Sequence, residues 1–121
     1  NVNLLGYQKY SSIPEILLKN SVYWQPSIVE QWGLSINEAA SNGMPLLLSK
    51  RCGATSELCD KNNGWTFDPF SIPEMVEKLE QVRSDKDKWK RFGYISQIKV
   101  KSFSLDNYSI NFKNILKILA K

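Results

Sequence analysis

Between Val22 and Ser49 the chain reads VYWQ, a turn ending at Gly33, the helical stretch LSINEAASN, Gly43, and then the apolar run PLLLS. A strand that is apolar at successive positions buries both faces. Two strands joined by a helix run parallel, because the helix carries the chain back to the edge from which the first strand started. The alternation continues on either side, with strands expected at Asn3–Leu5, Val22–Gln25, Pro45–Ser49 and Trp65–Phe67 and helices over IPEILLKN, LSINEAASN and ATSELCD. The fold class that follows is α/β, a parallel sheet with helices on both faces and right-handed crossovers. Gly43 is placed just past the last turn of the second helix, where a glycine closes it. Three helices end the chain. Ser71 and Glu74 make a capping box for IPEMVEKLEQV, with Ile72, Met75, Val76 and Leu79 as its apolar stripe, and Asp85 and Ser104 are N-caps for the next two. The last helix sets Tyr108, Phe112, Ile115, Leu116 and Leu119 on one face, which needs cover from this domain or from a missing neighbour.

The 121 residues allow one domain, 1–121, with a moderate core and an ordinary 42% hydrophobic content. The chain begins with Asn1 rather than Met and opens directly on a strand, as a piece of something longer would. It has no apolar run long enough to span a membrane and no signal-peptide pattern. Cys52 and Cys59 are spaced for neither a redox pair nor a zinc knuckle, which fits a reduced cytosolic compartment. The absence of histidine removes a Ser-His-Asp triad, a histidine-ligated zinc and a histidine base, leaving carboxylates, lysines and backbone dipoles. The net charge of +4 is uneven, with four basic residues against five acids in 1–60 and twelve against seven in 61–121. The basic stretch KDKWKRFGYISQIKVK has the charge for anionic lipid, nucleic acid or an acidic acceptor, although a solvated helix face is the commoner role for such a run.

Parallel sheets bind ligands beyond the carboxyl ends of their strands. Three loops fall there, Gly6-Tyr7-Gln8, Pro26 to Gly33, and Lys50-Arg51-Cys52-Gly53, and they are expected to line one crevice. Each glycine taken singly is an ordinary turn residue. The second loop stands out because it leaves the backbone N–H groups of Gly33, Leu34 and Ser35 unpaired at a helix start, where the dipole favours an anion. Glu38 lies about one turn further in. Phosphates would repel its carboxylate, but it can accept hydrogen bonds from hydroxyls of a sugar attached to them, and Glu30 on the loop can do the same for a second sugar. The residues thus suit a sugar nucleotide.

The segment PSIVEQWGLSINEAASNGMPLLLSKRCGATSEL, followed by NNGWTFDPFS, resembles the C-terminal, nucleotide-sugar-binding domain of retaining glycosyltransferases of the GT-B fold, family 4. The paired glutamates, the Gly-Leu between them, the Glu-Ala after the turn, the Gly-x-Pro before a strand and the later Asn-Gly occur in register, and the likeness covers nearly the whole chain. It implies a Rossmann-like donor-binding lobe. By position, Glu38 matches the second glutamate of the family's E-x7-E motif, which binds the donor ribose. Glu30 matches the first, beside the transferred sugar, and is the candidate catalytic residue. Gly33 and Leu34, with Ser35 next to them, match the amides that hold the pyrophosphate, and Tyr7 and Gln8 match the nucleobase loop. Lys50, Arg51 and Glu57 match no catalytic residue, so surface ion pairs or helix-end roles are expected of them.

The resemblance further implies transfer of a sugar from a nucleoside diphosphate to an acceptor hydroxyl with retained configuration, needing no metal or other cofactor. Polysaccharide or lipopolysaccharide assembly is the expected setting, in the cytoplasm with peripheral association at the inner membrane face. The family's basic pair and its N-terminal acceptor-binding domain precede the point where this chain starts, so the chain alone is expected to be inactive. Two rival readings are a non-catalytic sugar-nucleotide-binding or interaction module, and a nucleic-acid module built on Lys88, Lys90 and Arg91 with Trp89 and Phe92. The helical spacing of Trp89, Phe92 and Ile95 suits a core better than base stacking, so nucleic acid is not an expected partner.

Overall fold

The structure, a computed structural model, describes residues 2–119; Asn1, Ala120 and Lys121, at the ends of the expected domain, lie outside the described residues. Three parallel strands pair in sequence order, β1 (Tyr23–Gln25), β2 (Leu46–Ser49) and β3 (Gly64–Phe67). The central β2 is buried at every position, as its apolar run requires. Its residues alternate between two cores. Leu46 and Leu48 pack with Ile36, Ala39 and Ala40 of α2 (Leu34–Ser41) and with Leu17 of α1 (Ile13–Leu18). Leu47, with Trp65 and Phe67 of β3, packs against Met75 and Val82 of α4 (Ile72–Ser84) and Phe92 of α5 (Trp89–Val100). Helices therefore cover both faces, and each buried leucine contributes about 1.5–3 kcal/mol over its exposed state.

Helix α2 closes as its sequence predicts. Gly43 takes φ +74°, its N–H donates to the Ala40 carbonyl at 3.0 Å, and the Met44 N–H donates to that of Ala39 at 3.1 Å. This Schellman pairing satisfies the last carbonyls and sends the chain through Pro45 into β2. Helix α3 (Thr55–Leu58) is a single turn, shorter than ATSELCD, and carries Glu57 in that turn.

Several local expectations give way. Asn3–Leu5 forms no strand: Leu4 and Leu5 are exposed, and the Leu5 carbonyl accepts from Gln8 Nε2 at 2.7 Å instead of joining a ladder. Only half of the capping box forms. Ser71 Oγ accepts from the Glu74 N–H at 3.3 Å, but the Glu74 carboxylate turns to the Asp68 N–H at 3.2 Å and to Lys50 at 2.8 Å. The face of α4 that meets Trp65 and Phe67 runs through Met75 and Val82, two turns apart, so Ile72 and Val76 of the expected stripe stay exposed. Asp85 does not cap α5, because a 3-10 turn (Lys86–Lys88) intervenes and its carboxylate pairs with Lys88 at 2.7 Å. Ser104 does cap α6 (Leu105–Leu119), accepting from the Asn107 N–H at 3.3 Å. No residue of α6 is buried, so the face bearing Tyr108, Phe112, Ile115, Leu116 and Leu119 is left uncovered by the described residues. No helix among these residues is long and apolar enough to cross a membrane.

Candidate functional site

At the carboxyl ends of β1 and β2 the loop from Pro26 to Gly33 is laced to the loop from Lys50 to Ala54. Glu30 and Cys52 form a parallel bridge, in which the Gly53 N–H donates to the Glu30 carbonyl at 2.9 Å, and the Ala54 N–H donates to that of Trp32 at 3.1 Å. Gly53 permits this approach: a Cβ there would lie 2.8 Å from the carbonyl carbon of Gln31 and would strike its oxygen. The two loops enclose an open cleft of about 600 Å³ that Glu30, Lys50, Arg51, Gly53 and Ser56 help to line. Lys50 makes its expected ion pair, with Glu74, and the Arg51 guanidinium lies 5.6 Å over the Phe70 ring. Both cations nonetheless stand in the same cleft as Glu30.

The head of α2 adjoins Glu30, one of the residues lining this cleft; Gly33 there is buried, Leu34 exposed and Ser35 half-buried. Gly33, the N-cap residue, has φ +91° and ψ +73°, a left-handed turn that glycine adopts without Cβ strain. No side chain caps this end, and among the described residues the N–H groups of Gly33, Leu34 and Ser35 donate to no protein acceptor. The first paired amide is that of Ile36, which donates to the Gly33 carbonyl at 2.8 Å. A Cβ on Gly33 would lie 3.2 Å from Glu30 Cγ, so the stem of Glu30 leans on the helix head. The first acid thus stands where the free amides begin.

Glu38 is half-buried and lines a separate groove of about 250 Å³ between α1 and α2, with Tyr10, Ile13, Pro14, Leu17 and Ser41. Tyr23 stands within the fields of both acids. Its hydroxyl is held above the usual tyrosine range, by burial above all; the Ser35 hydrogen bond works against this, while the fields of Cys52, Glu38 and Glu30 add to it. That hydroxyl lies 2.6 Å from Gln25 Oε1 and 2.8 Å from Ser35 Oγ. The side chain of Ser35 is therefore engaged by the protein while its amide is free.

The expected crevice of three loops is built from two. Tyr7 is 92% exposed, Gln8 is tied to Leu5, and neither lines the cleft or the groove. The structure brings together Glu30, Gly33, Leu34 and Ser35, sets Glu38 in the separate groove, and leaves Tyr7 and Gln8 apart. Tyr23 and Gln25 are no candidates by sequence motif; their signal is two polar side chains at alternate positions of an expected strand. Cys52 and Cys59 are free, buried thiols, and burial pushes Cys59 up to about 12. The aromatics that a nucleic-acid surface would need are taken by the core: Phe92 is buried against Trp65, and Trp89 Nε1 donates to the Val82 carbonyl at 3.0 Å.

The site can seat an anion on three amides with a carboxylate at its side. The family described as Glycosyl transferases group 1 matches residues 1–98. The probable sucrose-phosphate synthase 1 of Oryza sativa subsp. indica is 31% identical over 87 residues, 69% of this chain and 8% of that protein. The sucrose-phosphate synthase of Spinacia oleracea is 26% identical over 118 residues, 94% of this chain and 11% of that one. Among solved structures, the sucrose-phosphate synthase of Thermosynechococcus elongatus has a TM-score of 0.74 at 18% identity, covering 86% of this chain and 26% of that one. Anabaena HepE in complex with UDP and glucose has a TM-score of 0.74 at 21% identity, covering 97% and 31%. These likenesses show a shared fold, and the chain spans only a small part of each relative. Because the family match takes in every element that builds the cleft, from α1 through most of α5, the chain belongs to the glycosyl transferases group 1 family.

Proposed function

We propose that this chain is the greater part of the donor-binding lobe of a retaining GT-B glycosyltransferase of family 4. A nucleoside-diphosphate sugar sits with its diphosphate on the amides of Gly33, Leu34 and Ser35, its ribose hydroxyls on Glu38, and the transferred sugar beside Glu30. In the reaction, the bond from the anomeric carbon to the diphosphate oxygen breaks and a bond to the acceptor oxygen forms on the same face of the sugar. The acceptor's proton leaves with the diphosphate. Negative charge grows on the departing diphosphate, and fixed N–H dipoles aimed at it stabilise that charge more than they stabilise the bound donor. Cations supplied by the rest of the enzyme complete the task, without a required metal.

One observation carries this proposal: the head of α2 is uncapped, and the Glu30 stem rests against it. The complexes of HepE with UDP make uridine diphosphate the first nucleotide to test. An acceptor-binding N-terminal domain outside this chain would make the isolated chain inactive. Polysaccharide or lipopolysaccharide assembly at the cytoplasmic membrane face is the setting we infer for the whole enzyme. Calorimetry of the 121-residue chain with UDP is the test. Binding is expected, and Glu38→Ala should weaken it by about 1–3 kcal/mol, the cost of losing hydrogen bonds to a charged group. Unchanged affinity would remove Glu38 from the site.

A further inference from the structure

The loop that carries Glu30 begins next to β1 and ends at the head of α2, and four side chains join these two ends. Gln25 Nε2 donates to Ser27 Oγ at 2.7 Å; the Tyr23 hydroxyl lies 2.6 Å from Gln25 Oε1 and 2.8 Å from Ser35 Oγ. Gln25 Oε1 can only accept, so the single Tyr23 proton goes to it and the Ser35 hydroxyl donates to the Tyr23 oxygen. The result is one hydrogen-bonded chain, Ser35 to Tyr23 to Gln25 to Ser27, in which every member is half-buried. Ser27 stands at the loop's entrance and Ser35 in the first turn of α2, so the chain ties together the two ends between which Glu30 is held. Tyr23 is its centre.

The geometry points to Tyr23 as a positioning residue: its hydroxyl clamps the Glu30 loop to the head of α2, fixing the sugar-facing acid and the diphosphate-facing amides as one unit. The clamp is local to the ends, because the middle of the loop is already held by the backbone bonds of Gly53 and Ala54 to Glu30 and Trp32. Substitution by phenylalanine keeps the packing of the ring against the first core and removes only the link. The raised pKa of Tyr23 keeps its proton in place through the neutral range, so the clamp does not open with pH there. Ser35, spent on this link, contributes its amide and not its hydroxyl to the anion. This inference extends the donor-binding proposal to a residue that touches no part of the donor.

Two measurements on the 121-residue chain separate the clamp from the donor site. Without ligand, Tyr23→Phe and Ser35→Ala should each speed hydrogen exchange at the paired amides of the loop and the helix head, Glu30 and Ile36, roughly tenfold while leaving β2 and β3 protected, since local opening is controlled by the bonds that close it. The double variant should exchange no faster than either single one, because both cut the same link. With UDP as the probe, Tyr23→Phe should weaken binding several-fold with little change in melting temperature. Exchange at Glu30 and Ile36 unchanged in Tyr23→Phe would overturn the clamp, whether or not UDP binds. Faster exchange with no UDP binding by the unaltered chain would uphold the clamp and refute the donor site instead. Uniformly faster exchange in Tyr23→Phe, across the core strands as well, would reduce Tyr23 to ordinary core packing and overturn the proposal.

Discussion

Gly53→Ala should damage this protein more than the turn position of Gly53 indicates. Its φ is not in the left-handed region, so backbone strain is not the issue. The added Cβ would sit 2.8 Å from the Gln31 carbonyl carbon and closer still to its oxygen, inside the roughly 3.5–4.0 Å at which carbons make favourable contact. The neighbour is backbone and cannot swing aside, so the two loops must part by more than an ångström. That separation stretches the Gly53-to-Glu30 and Ala54-to-Trp32 hydrogen bonds, now 2.9 and 3.1 Å. Overpacking of this kind costs about 1–3 kcal/mol. At an unfolding entropy of about 2.1 cal/mol/K per residue, each kcal/mol lowers the melting temperature by roughly 4 °C. Urea titration gives the stability and calorimetry the UDP affinity, and both should fall, because the same displacement moves Glu30. A Gly53→Ala protein within about 0.5 kcal/mol of the parent would refute the claim that close backbone approach of these loops shapes the cleft.

Two further outcomes follow from the buried and paired groups. The hydrogen bond from Lys99 to Asp60, 2.7 Å long, and the Asn62 N–H hold the Asp60 carboxyl below its ordinary range. A depressed folded value means stability that is present above the unfolded pKa, about 3.9, and is lost as pH falls through the lower folded one. Urea midpoints should therefore drop on acidification through that window, less steeply in Asp60→Asn, and identical profiles would contradict the pairing. The Cys59 thiol, buried and pushed up to about 12, should resist a thiol reagent at neutral pH until the chain unfolds. Stoichiometric labelling of Cys59 in the native protein would place it elsewhere than under Leu46 and Trp65.

What the sequence reveals here is whatever depends on local pattern. PLLLS can hardly be other than a central strand, and Gly43 closes α2 through bonds only a few residues long. The uncapped head of α2 is legible for the same reason: glycine directly precedes the helical stretch and no Ser, Thr, Asp or Asn occupies the cap position. What escaped depends on partners distant in the chain. Asn3–Leu5 has the composition of a strand, but it finds no neighbour to pair with among the described residues. Glu74 leaves Ser71 because Lys50, 24 residues earlier, offers it a cation. The true reason for Gly53 is a carbonyl in another loop. Tyr23 and Gln25 carry no motif, because a strand pattern does not show which polar atoms meet beside it.

The most direct measurement of the central claim is the set of backbone amide shifts in an NMR titration of the chain with UDP at up to millimolar concentration. If the diphosphate sits on the uncapped end of α2, the resonances of Gly33, Leu34 and Ser35 move furthest and saturate together, with Glu38 following through the ribose. Saturable binding that leaves these three unmoved, or no binding at all, would contradict the assignment of the donor to this helix head.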